Sequence, residues 1–308
     1  MAAIGLGLLA PLARGVAPGR FQFREVSPVS LGLWEGEAPV LVYNHGIISR
    51  EGAPAAMARA CYIHPLYALD GSVITDDFPP DHLHHRGLFW GWPHIRRGDK
   101  EYDSWSPTPR FALRFERWLA REAGENRAAL AVENGWYADG ERIAREEVRI
   151  TALPASSSAR AIDVELTWTA LGAPISLEGA ESKSYGGLTL RFATQSDATI
   201  TVPSGRTSAD LAIARLPWAD FTATFPGAAG RGGAAILIHP SHPDYPPTWL
   251  TRHYGALCVG WPGVTPGTLE PERPTRCRYR IWIHRGDASP ATVEAAYHSF
   301  ISSAADAD

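Results

Sequence analysis

The chain has 308 residues, of which 45% are hydrophobic and 20% charged, and its formal net charge is -4. That share of apolar residues supports a large packed core and excludes an intrinsically disordered chain. The mild acidity, with no run of five or more Lys/Arg, offers no attraction to phosphate backbones or anionic lipid, so nucleic acid is not an expected partner.

In chain order, Met1 to Ala13 is apolar with Pro11-Leu12-Ala13 as a small-residue cleavage candidate, but it lacks the basic start of a secretory signal. Residues 1–19 are therefore expected to be an N-terminal tail or an atypical signal remnant, with a cytoplasmic location favoured over export. Strands are predicted at Phe21 to Val26, Val40 to Tyr43, Phe111 to Leu119, Ala128 to Trp136 and Glu147 to Leu153. The clearest is Ile162 to Trp168, where every second residue is apolar, the pattern of a half-buried antiparallel strand. Further strands are predicted at Leu188 to Phe192, Ala235 to His239, Ala256 to Trp261 and Arg278 to His284, separated by turn formers such as Ala138-Asp139-Gly140. One helix is predicted after Ser289, which can cap it. Pro290 suits its first position, and Val293, Tyr297, Phe300 and Ile301 form an apolar stripe. No period of 20 to 50 residues repeats, so a two-sheet sandwich or barrel is expected, with residues 20–308 as one domain.

No segment approaches the roughly 20 apolar residues needed to cross a bilayer, so a soluble chain without membrane partners is expected. Cys61, Cys258 and Cys277 have no C-x-x-C spacing and leave one over, so they read as core residues. Long connections are expected at residues 44–60, 71–81, 91–110, 203–220 and 240–254, where functional groups tend to concentrate.

The densest chemistry is Asp81-His82-Leu83-His84-His85-Arg86. As a strand it would project His82 and His84 from one face, so that both could hold a divalent metal ion. Without metal, the imidazoles could act as acid and base, with Asp81 orienting one of them. A third alternative is that they only hydrogen-bond loop backbone. His64, Asp76, Asp77, His94, Lys183, Tyr185, His239 and His242 lie in other connections that could join them, and the many aromatic residues, Trp90 among them, could stack on sugar rings.

The run Tyr62-Ile63-His64-Pro65-Leu66-Tyr67, then Gly71, Thr75-Asp76-Asp77 and Asp81 through Trp90, resembles a soluble family that carries the label methane oxygenase PmoA. Lys183, Tyr185-Gly186-Gly187-Leu188, Arg191 and Arg278-Tyr279-Arg280 are similar to it as well. The label cannot be literal for a chain without a spanning segment. The resemblance implies an all-β antiparallel supersandwich like galactose mutarotase, with its site in a concave face and a small-molecule carbohydrate as ligand. Mutarotases pair a strand histidine with a late glutamate, and the late candidates Glu270 and Glu272 sit in a Pro-rich turn, which argues against simple mutarotation.

The expected function is a carbohydrate-active lyase or hydrolase acting on a sugar or oxidised glycoside. His64, His82 and His84 are its expected catalytic groups, and Asp81, His85, Arg86, Trp90, Lys183, Tyr185 and His239 are expected to bind substrate. Two alternatives stand beside it: a non-catalytic carbohydrate-binding protein, and a redox enzyme with a histidine-held metal.

Overall fold

The alternation read in Ile162 to Trp168 becomes the strand Ala159–Ala170, in which Ile162, Val164, Leu166 and Trp168 are buried and the residues between them are half-buried. The structure, a computed structural model, describes residues 20–305, so the segment 1–19 lies outside the described residues. All ten predicted strands are present, several of them longer than expected, and Glu147 to Leu153 is the second half of a strand that starts at Glu141.

They assemble into an antiparallel β-sandwich. The first nine-stranded sheet runs Phe21–Ser27, Ser30–Glu35, Ala38–Asn44, Tyr62–Leu66, Leu88–Gly91, Gly187–Arg191, Ala256–Gly260, Thr248–Arg252, Ala212–Arg215. The second runs Gly205–Thr207, Ser196–Val202, Trp218–Thr224, Arg231–Ile238, Thr275–Arg285, Ala159–Ala170, Glu141–Ala152, Ala128–Ala138, Phe111–Ala123. A four-stranded sheet adds Gly267–Leu269, Ile175–Glu178, His94–Arg97 and Lys100–Tyr102. Three of the long connections expected to be irregular, 91–110, 203–220 and 240–254, therefore contain strands. Most of these strands are only three to five residues long, too short for alternation to register in sequence.

The main core joins both large sheets, with Leu41, Ile63 and Leu88 from the first packed among Val132, Val148 and Ile281 of the second. Cys61, Cys258 and Cys277 are free and buried, as expected. The helix Pro290–Ala305 starts where predicted, and Ser289 Oγ accepts the Thr292 amide at 3.2 Å. Its Val293, Tyr297 and Phe300 form a second core with Trp218, Ala235 and Leu237 on the outer face of the second sheet. No helix among the described residues is long and apolar enough to cross a membrane.

Inside the main core lies a carboxylate, Glu146, with no exposed surface. Its Oε2 accepts the indole N–H groups of Trp90 at 2.7 Å, Trp168 at 2.8 Å and Trp136 at 2.9 Å, and its Oε1 accepts Asn134 Nδ2 at 2.9 Å. Burying a carboxylate is tolerated only when such donors replace water. The substitution Glu146→Leu leaves these donors unmatched and is expected to lower the unfolding free energy by roughly 3–5 kcal/mol. Glu146→Gln, which keeps one acceptor oxygen, is expected to cost less. Chemical denaturation of both variants checks the order.

Candidate functional site

Residues 80–87 contain no strand, contrary to the expectation for the histidine segment. Two successive turns form instead: the His82 amide donates to the Pro79 carbonyl at 3.0 Å and the His85 amide to the His82 carbonyl at 2.8 Å. The fully buried Arg86 holds this shape from inside. Its guanidinium donates to the carbonyls of Leu83 at 2.8 Å, His85 at 2.6 Å and Met57, lies 3.6 Å over the Phe78 ring, and places Nε 3.4 Å from Asp77 Oδ1. Arg86 is thus a strut of the loop and not a substrate contact. Asp77 also accepts the Tyr62 hydroxyl at 2.8 Å, and burial pushes its carboxyl up to about 6.

The turns gather three imidazoles. His82 stacks on His85 (ring centroids 4.6 Å apart, planes 11° apart) and on Tyr254 (5.3 Å, 18°). His84 stands edge-on to both histidines, at 5.7 Å from His82 and 4.6 Å from His85. Trp105 closes the group, 5.5 Å from His85 and 6.1 Å from His84, and Tyr185 packs on Trp105 at 4.7 Å.

At the rim, His82 Nδ1 lies 2.9 Å from Asp81 Oδ2, and Arg191 Nη2 donates to both oxygens of Asp81 at 2.8 and 2.9 Å while its guanidinium sits over Tyr254. Partial burial works against ionisation of Asp81, but the bonds from His82 and Arg191 outweigh it and hold the carboxyl below its ordinary value. Nδ1 of His82 is buried, and 35% of the side chain as a whole remains open. Burial, followed by the neighbouring imidazoles and arginines, lowers His84 to about 4 and His85 to about 2, so both are neutral at pH 7.

The other expected residues fall in different places. His64, on Tyr62–Leu66, bonds through Nδ1 to Thr75 Oγ1 at 3.0 Å and makes no ring contact with the three clustered histidines; burial lowers it to about 4. Trp90 is not available to a ligand, being only 1% exposed with its indole on Glu146. Lys183 stands exposed on a turn two residues before Tyr185. His239 packs against Phe300 of the C-terminal helix at 5.4 Å, so the structure does not bring it to the cluster. His94 pairs with Glu101 on the small sheet, and His242 is buried against Tyr279.

A resident metal does not fit. Among the described residues, no three His, Cys, Asp or Glu side chains are grouped to hold an ion. An imidazole binds metal in its ring plane, so the parallel rings of His82 and His85 cannot aim at one point, and Asp81 Oδ2 crowds His82 Nδ1 at 2.9 Å. The expected pair His82 and His84 stands edge-on, with planes 77° apart, and among the described residues no third ligand joins it.

Sequence reasoning missed Tyr254 and Trp105 as members of this group. A lone aromatic residue in a connection carries no local sign of which distant loop it meets.

The fold and this cluster define an antiparallel β-sandwich with a histidine-rich turn at one sheet. The chain belongs to a family of unknown function, DUF6807, whose model matches residues 32–298. The methane oxygenase label is no part of that match. No curated protein matches the sequence.

Among solved structures the chain is similar to a GH36 alpha-galactosidase from Geobacillus stearothermophilus in complex with 1-deoxygalactonojirimycin, at 12% identity and TM-score 0.41. That match takes in 88% of this chain, which spans 40% of the length of the galactosidase. It is also similar to a GalM/aldose epimerase homologue from C. elegans (8% identity, TM-score 0.36, 86% of this chain and 100% of that one). A galactose mutarotase related enzyme from Lactobacillus acidophilus matches at 7% identity and TM-score 0.36, over 87% of this chain and 99% of that one. Similarity at this level bears on neither substrate nor reaction.

The lowered imidazoles make stability depend on pH. His64, His84 and His85 contribute stability above the ordinary histidine value of 6.5, and it is lost as pH falls toward 4, because the unfolded chain binds the protons first. Asp77, raised to about 6, acts in the opposite sense, its contribution being lost as pH rises through 6. With three imidazoles against one carboxyl, denaturation midpoints are expected to fall between pH 7 and pH 4.5, each unit of lowered pKa counting for about 1.4 kcal/mol. The substitution His85→Phe is expected to flatten that dependence.

Proposed function

We propose that the chain is a carbohydrate-active enzyme, a lyase or hydrolase on a sugar or oxidised glycoside, that moves a proton at His82. The observation that carries this reading is the 2.9 Å approach of Asp81 Oδ2 to His82 Nδ1, with Arg191 holding the same carboxylate. Of the three clustered imidazoles, His82 is the one with a carboxylate at its ring, so it has a counter-charge ready when Nε2 takes a proton. Arg191 is a positioning residue: it keeps Asp81 ionised and turned toward Nδ1, which leaves Nε2 as the reacting nitrogen.

The surroundings suit a polyhydroxylated ligand. His84, half-buried and neutral at pH 7, offers one donor and one acceptor to hydroxyl groups, with the buried His85 behind it. The exposed Tyr254 and the half-buried Tyr185 offer ring surface for C–H surfaces of a sugar, with Trp105 packed beneath. Of the catalytic residues expected from sequence, His82 keeps that role in the proposal, His84 becomes a binding group, and His64, one strand away, supports the loop through Thr75. The reading as a redox enzyme is the less supported one, since among the described residues no three His, Cys, Asp or Glu side chains are grouped to hold an ion.

The test is a panel of sugars and oxidised glycosides followed by calorimetry and by product analysis. Turnover is expected with at least one of them. The substitution His82→Gln is expected to lower it by about 10²- to 10⁴-fold with binding retained. Asp81→Asn is expected to reduce it less and to shift its pH profile. Heat of binding without product would favour the non-catalytic carbohydrate-binding alternative, and full turnover in the His82 variant would remove the proposed base.

A further inference from the structure

A cavity of about 370 Å³ lies between residues 47–60 and residues 104–113, which run from a loop into the strand Phe111–Ala123, and none of the clustered histidines lines it. Its walls are mostly apolar, formed by Ile47, Ala56, Pro107, Phe111 and Leu113 among others; Thr108 and Ser104 are its polar neutral residues and Arg59 its one charged residue. The volume falls in the lower part of the range of about 300–1,000 Å³ that small-molecule sites occupy. Ile47, 70% exposed, marks the open side.

Arg59 is held as part of the wall. It is 5% exposed, donates from Nη1 to the Ser104 carbonyl at 3.0 Å and from Nη2 to the Trp90 carbonyl, and lies 5.0 Å over the Phe89 ring. Gly91 leaves room for it: a Cβ at that position would stand 2.8 Å from the Ser104 carbonyl oxygen and 3.2 Å from Arg59 Nη2. Its partners are all neutral. Nε has no hydrogen-bond partner, and among the described residues no carboxylate pairs with the guanidinium. Burial lowers Arg59 to about 10 and the charge of Arg86 acts in the same sense, while the buried Glu146 opposes them from a distance, so Arg59 remains a cation at neutral pH.

A buried guanidinium held by two carbonyls and a ring face, with one N–H unmatched and no carboxylate in contact among the described residues, is left electrostatically incomplete, and an anion beside it in a low-dielectric cavity completes it. We infer that this cavity is a second binding site, separate from the histidine cluster, that takes a small apolar monocarboxylate with its head toward Arg59 and its alkyl or aryl body along the alanine, proline and phenylalanine walls. A single charged wall residue selects one anionic group and gives no second contact for a zwitterion or a polyanion. This assignment does not depend on the chemistry proposed at His82.

Calorimetry with 3-phenylpropionate and with 3-phenylpropanamide on the full chain tests the site. The acid is expected to bind one-to-one and roughly tenfold tighter than its neutral amide, the difference made by one charge contact. Arg59→Met is expected to abolish that preference. Because this substitution could also unfold the protein, Ala56→Trp supplies a second variant: it fills the cavity without touching the guanidinium and is expected to abolish binding while the thermal transition is kept. The inference is overturned if acid and amide bind equally, if neither binds, or if the Ala56 variant with an intact transition binds the acid as tightly as the parent.

Discussion

One buried carboxylate fixes the spacing of the two large sheets. Glu146 accepts N–H groups from Trp136 and Asn134 on one neighbouring strand, from Trp168 on another and from Trp90 across the core. A methyl-lined interface can slide by a fraction of an ångström at little cost, whereas four directed bonds to one group cannot. Trp90 is the member that crosses between sheets, and its main-chain carbonyl accepts Arg59 from the other side. The short strand Leu88–Gly91 is thereby tied at the indole and at the backbone. Phe89, on the same strand, carries His85, Trp105 and Arg59 against its ring. The candidate site and the cavity beside it both rest on that strand, so the geometry of each traces back to Glu146.

The histidine turn divides its residues by depth. Arg86 and Asp77 are spent on its interior, where they replace the regular pairing that a strand would have supplied. His85 and His84 occupy the middle layer, uncharged because of their burial. Asp81 and His82 reach the rim, where a group that changes charge can be solvated. An order of this kind suits a site that must present one ionisable group to a ligand without accumulating like charge around it.

How much of this was legible in the sequence depended on period. Alternation over seven residues exposed strands such as Ala159–Ala170, and the helix announced itself through Ser289, Pro290 and the stripe of Val293, Tyr297 and Phe300. Strands of three or four residues, such as Lys100–Tyr102 and Gly205–Thr207, had no room to show a period. Within the site, the cluster His82, His84 and His85 was visible because its members are adjacent in the chain, and Asp81 was expected to orient an imidazole. The backbone of the segment was less legible: Pro79-Pro80 before it favours the turns that form, whereas the H-x-H spacing suggests a strand. Tyr254 and Trp105 meet the histidines through tertiary contact alone, which no local pattern encodes.

The C-terminal helix gives the second sheet a second covered face. Along Arg231–Ile238, Ala234, Ile236 and Ile238 point into the main core, while Ala235 and Leu237 point out under Val293, Tyr297 and Phe300. This strand is apolar on both sides, as strands sandwiched between layers are. A fragment ending before Pro290 would therefore leave Trp218 and Leu237 facing water on a broad flat sheet, a surface prone to self-association. The helix is thus a shield for the sheet, and boundaries chosen for expression should keep it through Ile301.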